Sequence, residues 1–239
     1  MKTYVDFGGT PEFKLSGAIL LYQGHNTAFA TYHPVREGRE DEAPQLNPAQ
    51  PLTTAFLEQL AGDLGHRLPV EILPENVLVR TPEVLVWWSP ARARTMFFAE
   101  HVEEARPISG KRFPQPALAF KVAGRELWVR ALPENQRPGP GTELKTAPYW
   151  NCAESGVCCQ GTMRSPEVGT SLDAMEAWER AFFQSRFTHA YGAARLTRYP
   201  GGFLALWASL ADSAGAFPVE HLTDARETLQ QFVERRDRV

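Results

Sequence analysis

Residues 148–161 read PYWNCAESGVCCQG and hold every thiol of the chain, Cys152, Cys158 and Cys159. The stretch has neither the 3.6-residue period of an amphipathic helix nor the alternation of a half-buried strand, so it reads as an ordered irregular segment. Structural cysteines tend to sit singly on periodic apolar faces, and these three do not. An odd, clustered set is also unlike a secreted disulfide framework. The residues alone leave three readings open. Cys152, Cys158 and Cys159 with His189 are four ligands of a type zinc accepts, although adjacent cysteines rarely both bind one ion and the spacing departs from paired ligands. The cysteines can instead be small side chains filling a tight loop. Or one of them is a nucleophile.

Upstream of this stretch the pattern is that of strands. Residues 13–21 are apolar-rich, Gln23-Gly24-His25-Asn26 is turn chemistry, and 27–32 continue with alternation, which predicts a β-hairpin. A charged connector over 34–50 follows. Residues 52–64 fit a helix, with Thr53 or Thr54 as cap, Phe56, Leu57, Leu60 and Leu64 on one stripe, and Gly65 at the C-cap. Short β-like runs come next at 76–80, 83–89, 94–99, 116–122 and 126–132, separated by Thr81-Pro82, Ser89-Pro90 and Ala123-Gly124. Strands joined this tightly predict an antiparallel meander. In it Trp87, Trp88, Phe97 and Phe98 read as sheet core.

Residues 133–141 form a Pro/Gly loop. Downstream of the cysteines, helix signals return. Thr170-Ser171-Leu172-Asp173 is a capping-box pattern, with Leu172, Met175, Trp178, Phe182 and Phe183 as the apolar stripe behind it. A second helix is predicted over 203–210, and a third from about 219 to 238 with Pro218 in its first turn. The order is α+β. The lack of βαβ alternation and of G-x-G-x-x-G argues against a dinucleotide-binding fold.

The chain has 239 residues, 43% of them hydrophobic and 22% charged, with a net charge of −3. That is an ordinary globular composition, and it argues against nucleic-acid binding through bulk positive charge. No apolar run reaches the ~18 residues of a membrane span. The opening MKTYVDFGGTPEF has no apolar core of a signal peptide, so a cytoplasmic location is expected.

Resemblance adds to these readings. Asn151 stands eight residues before Cys159 and Gly156 three before it. This register resembles that of the ubiquitin-conjugating (UBC-like) enzymes, whose His-Pro-Asn motif precedes the catalytic cysteine by that distance. The chain is more closely similar to one prokaryotic branch, the PRTRC system protein B family, or prokaryotic UBC-like family D. The similarity rests on Cys159-Gln160-Gly161, Pro166, Trp178 and Phe182-Phe183-Gln184-Ser185-Arg186-Phe187-Thr188-His189, with a more diffuse likeness in 84–90 and 96–98. Tyr149 and Trp150 fill the His and Pro places of the motif. The branch carries a histidine after the cysteine instead, and His189 matches it.

The resemblance implies a UBC-like fold: an antiparallel meander with an N-terminal helix, an irregular cysteine flap and C-terminal helices, preceded by a β-hairpin extension. The implied domains are 1–50 (hairpin and linker), 51–190 (UBC-like core) and 191–239 (helical extension). It implies that Cys159 accepts a ubiquitin-like protein as a thioester from a ThiF-like activating enzyme of the same cassette, with no metal and no cofactor. Membrane association and direct nucleic-acid binding are not expected.

Sulfur suits such a carrier, because it attacks well as thiolate and leaves well later. In this reading the Asn151 amide offers an N–H to the oxyanion, and His189 accepts a proton from the attacking amine or orients the thiol. The rival roles are a turn-forming Asn151 and a His189 paired with carbonyls at a helix end. The rival function is a UBC-like module that binds a ubiquitin-like partner without transfer chemistry.

Overall fold

The computed structural model describes residues 15–25, 27–36, 45–64, 72–166, 171–189 and 196–235. The chain divides into two compact units, Met1–Glu71 and Ile72–Val239.

In the first unit, β1 (Gly17–Gln23) pairs antiparallel with β2 (Ala28–Arg36), and two short strands, β3 (Gln45–Leu46) and β4 (Gln50–Pro51), add to β2. This is the hairpin the alternation predicts. Tyr22 stacks on its cross-strand partner Phe29 with ring centroids 4.5 Å apart. Gly17 is required where it is, because a Cβ there would lie 2.4 Å from the Tyr32 ring. Helix α1 (Thr54–Asp63) begins at Thr53, whose side chain accepts from the Phe56 N–H at 3.2 Å. The expected C-cap, Gly65, lies outside the described residues. Phe56 packs on Tyr32 at 4.3 Å, so the helix makes its contacts within the hairpin unit.

The second unit holds β5 (Val77–Arg80), β6 (Val84–Ser89), β7 (Ala93–Thr95), β8 (Phe97–Phe98), β9 (Arg112–Pro114), β10 (Leu118–Ala123), β11 (Glu126–Ala131), β12 (Glu143–Thr146), α2 (Ala174–Gln184), β13 (Arg186–Phe187), α3 (Gly202–Leu210), β14 (Asp224–Thr228) and α4 (Leu229–Glu234). Its main sheet is antiparallel, in the order β14-β12-β11-β10-β6-β5. Register aligns Trp87, Phe120 and Val129 across three strands, and Leu85, Val122 and Leu127 beside them. These side chains form one face, covered by α2 through Trp178 and Phe182 and by α3 through Trp207. Alternation puts Ala119 and Trp128 on the opposite face, where Leu229 and Phe232 of α4 cover them. Lys121 shares that face. Its ammonium donates to the carbonyls of Phe232 at 2.9 Å and Arg235 at 2.5 Å, the favoured place for a cation at a helix end.

The long C-terminal helix expected over 219–238 is not formed. A 3-10 turn at Val219–His221 leads into β14, which pairs with β12 through Lys145↔Asp224 and Glu143↔Thr228. Arg226 has φ 58, which interrupts any helix. Thr228 then starts α4 with a reciprocal cap to Gln231. The apolar stripe is real, but the open edge of β12 takes the first half of it. The capping box expected at Thr170–Asp173 lies outside the described residues through Thr170; Asp173 stands at the N-cap of α2 and makes no side-chain cap hydrogen bond there. Of the aromatic stripe, Trp87 and Phe98 are core, Trp88 is half-buried, and Phe97 is exposed.

Candidate functional site: the cysteine hairpin

The segment judged irregular is a miniature hairpin laid on the main sheet. β12 pairs with only Arg130 and Ala131 of β11. The rest of that edge is taken by residues 156–158: Val129 N–H donates to Gly156 O at 2.9 Å and Cys158 N–H to Leu127 O at 2.8 Å. The chain then pairs with its own earlier part. Ala153 N–H donates to Val157 O at 2.8 Å and Cys159 N–H to Asn151 O at 2.7 Å. The turn depends on Gly156, with φ 93, where a Cβ would meet the Arg130 guanidinium carbon at 3.1 Å.

The base of the hairpin is anchored in the aromatic core. Tyr149, at the place of the motif histidine, is fully buried and donates its hydroxyl to Gln115 Oε1 at 2.7 Å. Burial pushes that hydroxyl well above its ordinary pKa, so it stays a neutral donor. Its ring stacks on Trp207 and Phe187, and Trp150 stacks on Phe203 at 4.6 Å.

Strand alternation separates the cysteines. Val157 pairs opposite Trp128, so Cys158 points to the other face, into the core with Cys152. Cys152 and Cys158 are 1% and 6% exposed, whereas Cys159 is half-buried and reaches the surface. Burial pushes the Cys158 thiol well up.

Asn151 occupies a left-handed backbone position, φ 65, which asparagine tolerates better than most residues. Its amide donates to Arg186 O at 3.0 Å, and its Oδ1 accepts from Thr188 N–H at 3.1 Å and Thr188 Oγ1–H at 2.8 Å. Asn151 N–H donates to His189 O at 2.9 Å. The chain after α2 therefore does return to the cysteines: β13 runs parallel to β8, and the residues just after it are clasped by Asn151. Cys159, Asn151 and His189 are brought together by two main-chain hydrogen bonds. His189 is exposed, and its Nδ1 lies 2.9 Å from Thr188 Oγ1, not at a helix end as the carbonyl-pairing role required. Among the described residues, no group of three or more His, Cys, Asp or Glu side chains is arranged to hold a metal ion.

A model of prokaryotic E2 family D matches residues 54–225. The chain belongs to prokaryotic E2 family D. No curated protein and no solved structure matches it. In this family D chain the α+β architecture and antiparallel sheet are those of an E2-like domain. Among the described residues, no helix is long and apolar enough to cross a membrane.

Sequence reasoning missed what surrounds the family D cysteines from below. Arg130 is 1% exposed and pairs with Glu227 of β14 at 2.5 Å, while Arg235 pairs with the other Glu227 oxygen at 2.6 Å. Arg235 also donates to Ser155 O in the hairpin turn at 2.8 Å. Burial lowers the Arg130 pKa and Glu227 opposes that shift. The only sequence signal was a charged residue inside the apolar run of β11, opposite an acidic residue in what read as a helix.

The clasp predicts a graded loss. Asn151→Ala removes three side-chain hydrogen bonds, worth about 0.5–1.5 kcal/mol each, and puts a Cβ-bearing residue of poor left-handed propensity at φ 65. Asn151→Gly removes the same bonds but accepts the backbone. Denaturant unfolding is expected to show Asn151→Ala as the less stable by about 1 kcal/mol; equal stabilities would show that the backbone position is not strained.

Proposed function

We propose that the chain is a ubiquitin-conjugating-like carrier. Cys159 accepts a ubiquitin-like protein from a ThiF-like activating enzyme and passes it to an acceptor amine. In the loading step the Cys159 thiolate attacks the thioester carbonyl, a C–S bond forms, and the activating enzyme's thiolate leaves. In discharge the amine attacks the same carbon, its proton goes to a base, and the Cys159 thiolate departs. The observation that carries this reading is the exposure contrast among the three thiols: Cys159 alone reaches solvent. Its backbone is also tied to Asn151, in the family's eight-residue register.

Asn151 has a second amide hydrogen beyond the one given to Arg186 O, and this is the donor available to a developing oxyanion. His189 is the exposed candidate base. The partners that fit are those of a PRTRC-type cassette, a ubiquitin-like protein and its activating enzyme, in the cytoplasm.

A second reading is a binding module that keeps the scaffold without transfer. Tyr149 at the motif histidine place, sealed in the core, favours it. The test mixes the purified chain with a cognate activating enzyme, ubiquitin-like protein and ATP on a non-reducing gel. The carrier reading expects an adduct that thiols discharge. Co-migration in a native assay with no covalent adduct supports the binding module instead.

A further inference from the structure

Two of the three thiols have no part in that chemistry, yet they are placed as a pair. Cys152 Sγ and Cys158 Sγ are 3.3 Å apart. The hydrogen bonds Ala153 N–H to Val157 O and Cys159 N–H to Asn151 O bracket them. Cys152 and Cys158 thus face each other at a non-hydrogen-bonded position of the antiparallel hairpin. In that register the Cα atoms lie closest, roughly 4.5 Å, within the span a disulfide bridges. All three cysteines are free thiols.

The surroundings are those of a site and not of plain packing. Below the pair runs the Arg130 guanidinium, whose Nη1 is buried without a hydrogen-bond partner. Gly156 lets it approach the hairpin. Burial, and then the Cys152 contact, hold the Cys158 thiol well above its ordinary pKa, and the Arg130 charge opposes that shift. A buried cation with an unused donor beside two thiols in contact fits a thiolate formed transiently there.

We propose that Cys152 and Cys158 are a dithiol–disulfide couple, oxidised by a small hydroperoxide, that cross-links the two hairpin strands and leaves Cys159 free. The Cys158 thiolate, the less buried of the two, attacks the peroxide oxygen. The O–O bond breaks, an alcohol or water leaves with the proton, and a sulfenic acid forms on Cys158. Cys152 sulfur then attacks the Cys158 sulfur, the S–O bond breaks, and water leaves. Two thiols lose two electrons and the peroxide gains them. The cross-link fixes the strands between Asn151 and Cys159, so it rigidifies the hairpin that presents the exposed thiol. The inference stands on the pair's geometry and does not need Cys159 to carry an acyl group.

The test uses the reduced full chain and hydrogen peroxide. After oxidation the protein is denatured in a maleimide, digested and mapped by mass spectrometry. The expected product joins Cys152 to Cys158, lighter by two hydrogens, with one maleimide on Cys159 and full reversal by a dithiol reductant. Links involving Cys159 are expected to be about tenfold rarer in the folded chain, and that preference is expected to collapse when oxidation is done in denaturant. Links to Cys159 dominating in the folded chain, or sulfinic acid on Cys158 with no link, would overturn the proposal. The Cys152→Ser variant adds a check: Cys158 there should progress to sulfinic acid under the same dose. The wild-type map decides the matter even if that variant folds poorly.

Discussion

Glu227→Ala is expected to destabilise the main unit by about 3–5 kcal/mol. Glu227 is the single carboxylate between Arg130 and Arg235. Removing it strands the Arg130 guanidinium, 1% exposed, in a region that offers no other anion among its described contacts. Uncompensated burial of a charge, more than the lost attraction itself, sets the size of the effect. It also frees the link through Arg235 to Ser155 in the hairpin turn. Arg235→Ala leaves the inner pair intact and removes a side chain 32% exposed, so a loss of only about 1 kcal/mol is expected. Thermal unfolding should separate the two variants clearly, by roughly 2–4 °C for each kcal/mol in a unit of this size. Equal, small shifts would mean that the ion chain does not hold β14 and the hairpin against the sheet.

Cys159→Ala is expected to abolish the thiol-sensitive adduct with the ubiquitin-like protein while leaving stability nearly unchanged. The side chain is half-buried and sits on the face away from the core, so its loss opens no cavity. The chemistry offers no substitute: Cys158 is enclosed in the core, where a small oxidant can enter but a thioester carried on another protein does not reach. Cys152→Ala should keep the adduct at reduced stability, since it removes a core side chain. An adduct that survives Cys159→Ala and vanishes in Cys158→Ala would mean that the buried sulfur is the nucleophile and that the hairpin must open to work.

Much of the sheet was legible because its strands carry local signals. The turns Thr81-Pro82 and Ala123-Gly124, the second with Gly124 at φ 59, cut the run into β5, β6, β10 and β11. The aromatic stripe of α2 marks its buried face directly. β12 was missed because Glu143–Thr146 alternates weakly and pairs with β11 at only two residues. β14 was read as helix because Ala225, its one apolar residue, falls on a helical stripe with Leu222, Leu229 and Phe232, and only the tertiary edge decides otherwise.

The candidate site was legible at the level of which residues, and not how they are joined. A hairpin with three-residue arms is too short for a periodicity to detect, and its turn needs a positive φ at Gly156 that any loop glycine can supply. Tyr149 looked like a missing histidine and is in fact the anchor that fixes the hairpin in the core. The partners of Asn151 lie beyond α2, in a segment whose return path no local pattern encodes. The contrast between Cys158 and Cys159 was legible from alternation alone, once the stretch is extended.

The central claim is that the Cys159 side chain forms the acyl bond. Its most direct measurement loads Cys159→Ser with the ubiquitin-like protein, its activating enzyme and ATP, then maps the product by mass spectrometry. A serine at a true nucleophile position converts the labile thioester into an oxyester. The account predicts an adduct that resists reducing agent and whose linkage lies on residue 159. No adduct on residue 159, with a reductant-sensitive one still forming elsewhere in the chain, would contradict it.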